Sequence, residues 1–319
     1  MAASEFSALL SSPAAVDDLA ADGPAAIVLE GALPVVPLPV PPLLPIVVVV
    51  AADSDRRQHP AVASADLAAT GQDLEAALAT IASAPTASSS LAVLLRASET
   101  RPVADGLLAE SAVYGVLQAG PEFARWRSQH PSRPQEPLEG SAVRCERDGD
   151  VLHIALARPQ IRNALDAELR DALAAALQVA ACDPSVRVEL SGDGPSFCSG
   201  GHLAEFGTRS DPATAHRIRL ARSLGWILHG MAARTRVVVQ GPCRGSGVEL
   251  PAFAGSVVAH PGSDFALPEL GMGLIPGAGG TVSLPRRIGR HRTAWLALTG
   301  QTVDAPTAHR WGLVDDLAP

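Results

Sequence analysis

Glu249 and Glu269 stand twenty positions apart, each inside its own glycine-rich apolar run. Glu249 lies in Gly241-Pro-Cys-Arg-Gly-Ser-Gly-Val-Glu-Leu250, and Glu269 begins a stretch that runs to Gly277-Ala-Gly-Gly-Thr281. From Pro251 to Pro268 the only acidic residue is Asp264 and the only candidate base is His260. Desolvating a carboxylate without a partner is costly, so two in such surroundings point to caps or to chemistry. If both face one cavity, they can divide acid and base work, because different environments hold different protonation states.

Two glycine turns accompany them. Phe197-Cys-Ser-Gly-Gly201 and Gly245-Ser-Gly247 each follow a strand-like run and precede a helix-like one. Such turns direct backbone N–H groups at a ligand, and a helix N-terminus adds positive potential. One donor from each would form an oxyanion hole, where a single donor is worth ~3–4 kcal/mol in the transition state. Gly241-Pro-Cys-Arg-Gly245 also has the spacing of a nucleophile elbow with Cys243 in the serine place, which would make a thiol hydrolase; Pro242 beside the turn fits that poorly. His202 directly after the first turn either orients a ligand or caps the helix that follows. Arg158 and Arg162 flank Pro159 on a loop, as phosphate contacts or as solvated charges.

The elements that must position these groups occupy the second half of a 319-residue chain. Hydrophobic residues make up 47%, enough for a large core, while aromatics are only 3%. All 25 basic residues are arginine, and the net charge is −8. That charge argues against general nucleic-acid binding but leaves room for a local arginine pocket. Cys145, Cys182, Cys198 and Cys243 form no C-x-x-C pair, so reduced thiols, no metal site and a cytoplasmic location are expected. The first ten residues lack the basic start of a signal peptide. The uncharged stretch 31–52 is long enough to span a bilayer, but six prolines between Pro34 and Pro45 would break a helix there. It reads as a polyproline-type linker followed by a buried strand, with no membrane involved.

Strands are expected at 25–29, 46–51, 186–190, 235–240 and 256–259, and a hairpin over 142–156. Helices are expected at 74–84, 103–126 with a break near Gly120, 164–181 capped by Asn163 or Asp166, 214–233 and 303–311. In the second of these helices Val103, Leu107, Leu108, Ala112 and Val116 mark the apolar stripe. A helix is also expected after Gly201. Residues 129–137 read as a linker. The alternation implies α/β layering.

Arg158-Pro-Gln-Ile-Arg-Asn-Ala-Leu165, Phe197-Cys-Ser-Gly-Gly-His-Leu203, Gly245-Ser-Gly-Val-Glu-Leu250 and Pro268-Glu269 with Ile275-Pro-Gly-Ala-Gly-Gly-Thr281 occur in this order. Together they resemble the enoyl-CoA hydratase/isomerase (crotonase) superfamily, over residues 142–317. The resemblance implies a ββα spiral, usually trimeric or a dimer of trimers, acting on an acyl-CoA thioester in fatty-acid metabolism. Coenzyme A would enter only as part of the substrate, with no other cofactor. It implies oxyanion-hole amides at Gly201 and Ser246, catalytic carboxylates at Glu249 and Glu269, and substrate contacts at Arg162, His202, Leu203 and Gly277. His202 stands where the family usually has Asp, and Ser246 where Gly is usual.

Hydration of a 2-enoyl-CoA is the expected reaction. Isomerisation on the same fold, non-catalytic acyl-CoA binding and the Cys243 hydrolase are the alternatives. Three regions are expected: an extension of unclear fold over 1–70, a helical module over 71–130 and a crotonase-like core over 138–319. Leu74–Trp126 resembles the family's C-terminal helices moved to the front, as in a circular permutation. Those helices should then pack on the core near the ligand mouth, with Trp126 and Arg127 close to it.

Overall fold

A computed structural model describes residues 1–53, 56, 58–131, 138–208 and 211–319. Its main sheet has six strands: β4 (Val143–Asp148), β5 (Val151–Leu156), β6 (Arg187–Gly192), β7 (Thr235–Val239), β9 (Ser256–Ala259) and β12 (Asp316–Leu317). Their order is β12-β9-β7-β6-β5-β4. All neighbours are parallel except the expected hairpin β4–β5, which turns at Gly149 and Asp150. A second sheet joins β8 (Pro242–Arg244), β10 (Asp264–Ala266) and β11 (Val303–Asp304) in the order β11-β10-β8.

A third sheet, near the N-terminus, holds β1 (Ala26–Leu29), β2 (Val47–Val50) and β3 (Leu67–Ala68), all parallel. The four valines of β2 are buried on both faces. Val47 and Val49 enter the main core, whereas Val48 and Val50 enter a smaller cluster with Phe6, Leu29, Leu38 and Leu44. A period of two thus divides one apolar run between two cores. The proline-rich segment is packed in part, since Leu38 and Leu44 are buried and Arg96 donates to the Pro41 and Leu44 carbonyls. That corrects the reading of 31–45 as a linker. Among the described residues no single helix is long and apolar enough to cross a membrane.

The helices of 71–129 lie on the second half of the chain. Gly71–Ser83 packs on Arg290–Thr299, and Pro85–Arg96 on that helix and on Gly280–Ile288. Val103–Gln118 packs on Pro212–Ala221, Leu224–Gly230 and Gly280–Ile288, and Pro121–Gln129 on the 3₁₀ turn Glu269–Met272. Polar ties fix these contacts. Trp295 Nε1 donates to Asp73 at 2.9 Å, and Glu122 accepts the Thr86 and Ala87 amides at the start of Pro85–Arg96. The main core runs continuously through both parts, from Val47 to Val314.

Four expectations are corrected. The segment after Gly201 forms only a 3₁₀ turn, Leu203–Glu205, so no long helix points its dipole there. The helix expected over 214–233 is broken into Pro212–Ala221, Leu224–Gly230 and a 3₁₀ turn at Ala232–Arg234. Ser223 caps the second piece by accepting the Trp226 amide. Pro85–Arg96 is a helix that was not expected. The stripe of Val103–Gln118 is also rotated: Leu108 is 50% and Val116 70% exposed, while Leu107, Glu110, Ser111 and Leu117 are buried. The apolar spacing marks one face, but the face turned inward carries Glu110 and Ser111 beside Leu107. Residues 132–137 of the expected linker lie outside the described residues.

Candidate active site

The strand β6 leads into Phe197–Gly201, which is threaded between two other segments. Ser199 N–H donates to Arg162 O, Arg244 N–H to Cys198 O, and Leu165 bridges to Gly201. The β8 strand ends at Arg244, and the Ser246–Glu249 helical turn follows. These segments and the Glu269 turn surround a cavity of about 520 Å³, well within the range of small-molecule sites. Gly201, His202, Ser246, Glu249, Glu269 and Gly277 all line it.

Glu249 is 2% exposed and Glu269 8%. Glu249 Oε2 accepts the Ala278 and Gly280 amides at 2.7 and 2.8 Å. Glu269 Oε2 is buried without a hydrogen-bond partner. Burial pushes the Glu249 carboxyl well above the usual range, and the charges of Glu269 and Glu110 add to the effect. Burial likewise raises Glu269 to about 7. The Ala278 and Gly280 N–H groups offset part of the rise at Glu249, and a backbone N–H bond does the same at Glu269. Neither the Gly201 nor the Ser246 N–H donates to an acceptor among the described residues. Both are therefore available to an oxygen in the cavity.

The remaining sequence candidates divide. His202 is buried and lines the cavity. Gly277 lines it where the Tyr114 ring presses so close that a Cβ would collide with it. Arg162 is exposed, in a left-handed conformation at φ 53°, and Leu203 is 52% exposed; neither lines the cavity. Arg158 is buried and tied to Glu168, Glu139 O and Gly140 O, a structural anchor. Of the two cap candidates, Asp166 caps Ala167–Cys182, while Asn163 ties the Arg158 amide to the Asp193 and Ser196 carbonyls. Cys243 is fully buried in β8, does not line the cavity, and its thiol is held protonated by burial.

Several cavity residues escaped the sequence reading: Glu110, Ser111 and Tyr114 from Val103–Gln118, and Arg219 from Pro212–Ala221. The Arg219 guanidinium lies 4.7 Å from the Tyr114 ring centroid and donates to Ser111 Oγ at 3.1 Å. Glu110 falls one helical turn from Leu107, on the same face of the helix. Arg170 and Arg222, both paired with Asp171, also line the cavity. Trp126 stands 6.4 Å from the Phe206 ring, which is part of the lining.

Known proteins are similar to this chain over its second half. The sequence profile of the enoyl-CoA hydratase/isomerase family matches residues 146–319. An enoyl-CoA isomerase/hydratase of Mycosarcoma maydis is 34% identical over 179 residues, 53% of this chain and 65% of its own length. The chain thus spans just under two thirds of that relative. A 2,3-dehydroadipyl-CoA hydratase of Escherichia coli is 34% identical over 180 residues, 56% of this chain and 70% of its own. The crystal structure of an enoyl-CoA hydratase from Thermoplasma volcanium superposes with a TM-score of 0.52 at 30% identity, covering 56% of this chain and 72% of that one. With a profile match over more than half of its length, the chain belongs to the enoyl-CoA hydratase/isomerase family.

Proposed function

We propose that this protein is a lyase that adds water across the double bond of a 2-enoyl-CoA thioester. One observation carries the reading: two desolvated glutamates, Glu249 and Glu269, share a cavity with two backbone amides that lack acceptors. The thioester oxygen would lie on the Gly201 and Ser246 N–H groups and take up charge as an enolate forms. Glu249 would activate the water that attacks Cβ, and neutral Glu269 would pass its proton to Cα. Arg170, Arg219 and Arg222 in the lining suit a ligand that carries phosphates. Coenzyme A would enter as part of the substrate and no other cofactor would be needed.

Isomerisation is the second reading. Glu269, with one oxygen free of hydrogen bonds, could shuttle a proton between two carbons by itself. Turnover of a panel of enoyl-CoA thioesters, with hydration and double-bond movement followed separately, decides between them. Loss of hydration in both E249Q and E269Q supports the lyase; retained isomerisation in E249Q supports the second reading. The helices of 71–129 would serve as the family's C-terminal helices in permuted order, a reading supported by their packing beside the cavity. A homotrimer is the expected assembly, and light scattering of the purified protein would test it.

A further inference from the structure

The cavity holds a third buried carboxylate. Glu110, 2% exposed, comes from Val103–Gln118, far from the other two in sequence. Its Oε1 accepts the Gly279 amide at 2.7 Å. Its Oε2 accepts the Thr281 amide at 2.9 Å and the Thr281 hydroxyl at 2.7 Å. Glu249 Oε2 takes the alternate amides, those of Ala278 and Gly280. Four consecutive N–H groups of one turn are therefore shared in alternation between two glutamates. This turn begins the helix Gly280–Ile288, where amides have no partner within the helix.

That turn would be satisfied by any acceptor, water included. Here its two sides are bonded to carboxylates that both line one cavity. Glu249 is held only through Oε2, and Oε1 has no hydrogen bond among the described residues. The orientation of Oε1 therefore depends on where the turn stands, and Glu110 fixes the turn through the other two amides. We propose that Glu110 is a positioning residue for Glu249, acting through the Ala278–Thr281 turn and making the N-terminal helix part of the reaction site. The inference rests on the reading of Glu249 as the water-activating carboxylate.

The groups facing Glu110 are Glu249, Glu269 and Tyr114, with Arg219 from Pro212–Ala221 as the nearby cation. His216 from Pro212–Ala221 bonds Ser111, the residue after Glu110. Burial holds Glu110 at about 7, and its charge helps to raise Glu249. E110Q removes that charge and sets an amide N–H against a backbone donor. It should lower kcat by on the order of ten- to a hundredfold, as misplaced catalytic groups do. KM should change far less. The acid limb of the kcat profile should move to lower pH, because Glu249 then loses a negative neighbour and ionises more readily. T281V deletes only the hydroxyl donor and keeps the fold, so it should lower kcat in the same direction by a smaller factor.

Wild-type kcat and an unmoved acid limb in folded E110Q would overturn the inference. So would a lower melting temperature in E110Q and T281V with unchanged kcat per folded molecule, which assigns Glu110 to structure alone. E249Q separates the layers. If E249Q hydrates normally, the functional reading fails and this inference with it. If E249Q is inactive while E110Q and T281V are normal, only this inference fails.

Discussion

Glu269 Oε1 occupies the space that a side chain on Gly245 would need. Gly245 also holds φ at +47°, a region that costs other residues energy. The glycine before Ser246 therefore serves both a turn and a carboxylate. Gly245→Ala should push Glu269 from its place and strain the turn that presents the Ser246 amide. Turnover of an enoyl-CoA thioester should fall by on the order of a hundredfold. Near-normal turnover in the folded variant would mean that Glu269 does not act from this position.

The raised carboxyls make stability depend on pH in a defined direction. Glu110 and Glu269 sit at about 7, against 4.5 for an exposed glutamate. Between about 4.5 and 7 the folded state holds protons that the unfolded state has released. Stability from these groups is therefore highest below the lower value, falls as pH rises through the window and levels off above it. At ~1.4 kcal/mol per unit the effect is on the order of 3 kcal/mol for each carboxyl. Half-buried His291, lowered to about 4, acts oppositely between about 4 and 6.5. The informative measurement is thus the difference between variants. Melting temperature should drop less from pH 5 to pH 7.5 in E269Q than in the unaltered protein.

The half of the molecule that holds the candidate site was legible because its strands are apolar runs ended by glycine turns, and those turns carry the candidate residues. Glu249 and Glu269 stood out as isolated charges within such runs. Glu110 did not, because it lies in an alanine- and leucine-rich helix whose apolar residues suggest another face. Leu108, Ala112 and Val116 are exposed, while the buried face carries a carboxylate, a serine and Tyr114. Nothing local announces an acceptor whose donors are at Gly279 and Thr281. The break at Ser223 was missed for a related reason, since serine is tolerated inside helices and marks a cap only when the chain bends.

Cys243 offers a test that separates the hydrolase alternative. Its thiol is buried in β8, weakly bonded to the Gly241 carbonyl at 3.6 Å and removed from the cavity. Cys243→Ala should keep turnover within about twofold and cost about 1–2 kcal/mol of stability through the small cavity left behind. A trapped acyl group on Cys243, together with loss of turnover in the variant, would overturn this.

The N-terminal sheet is joined to the rest through a buried ion pair. Asp66 accepts from Arg96 Nε at 2.9 Å and Nη2 at 2.6 Å, and its Oδ2 also accepts the Val48 amide. The Asp66 side chain is 2% exposed and that of Arg96 7%, so neither is screened by water. Arg96 further donates to the Leu44 and Ile46 carbonyls, tying β2 and the proline-rich segment to the helix Pro85–Arg96. Among the described residues, replacing Arg96 by Met leaves Asp66 with only Arg290, 3.9 Å away, as a partner charge. A buried carboxylate stripped of its main partner costs about 3 kcal/mol or more. R96M should therefore lower the denaturant midpoint strongly, and adding D66N should recover part of the loss. Since this helix also packs on Gly280–Ile288, the damage should reach the site as well. An R96M protein as stable as the original would show that the N-terminal sheet is held by its apolar contacts alone.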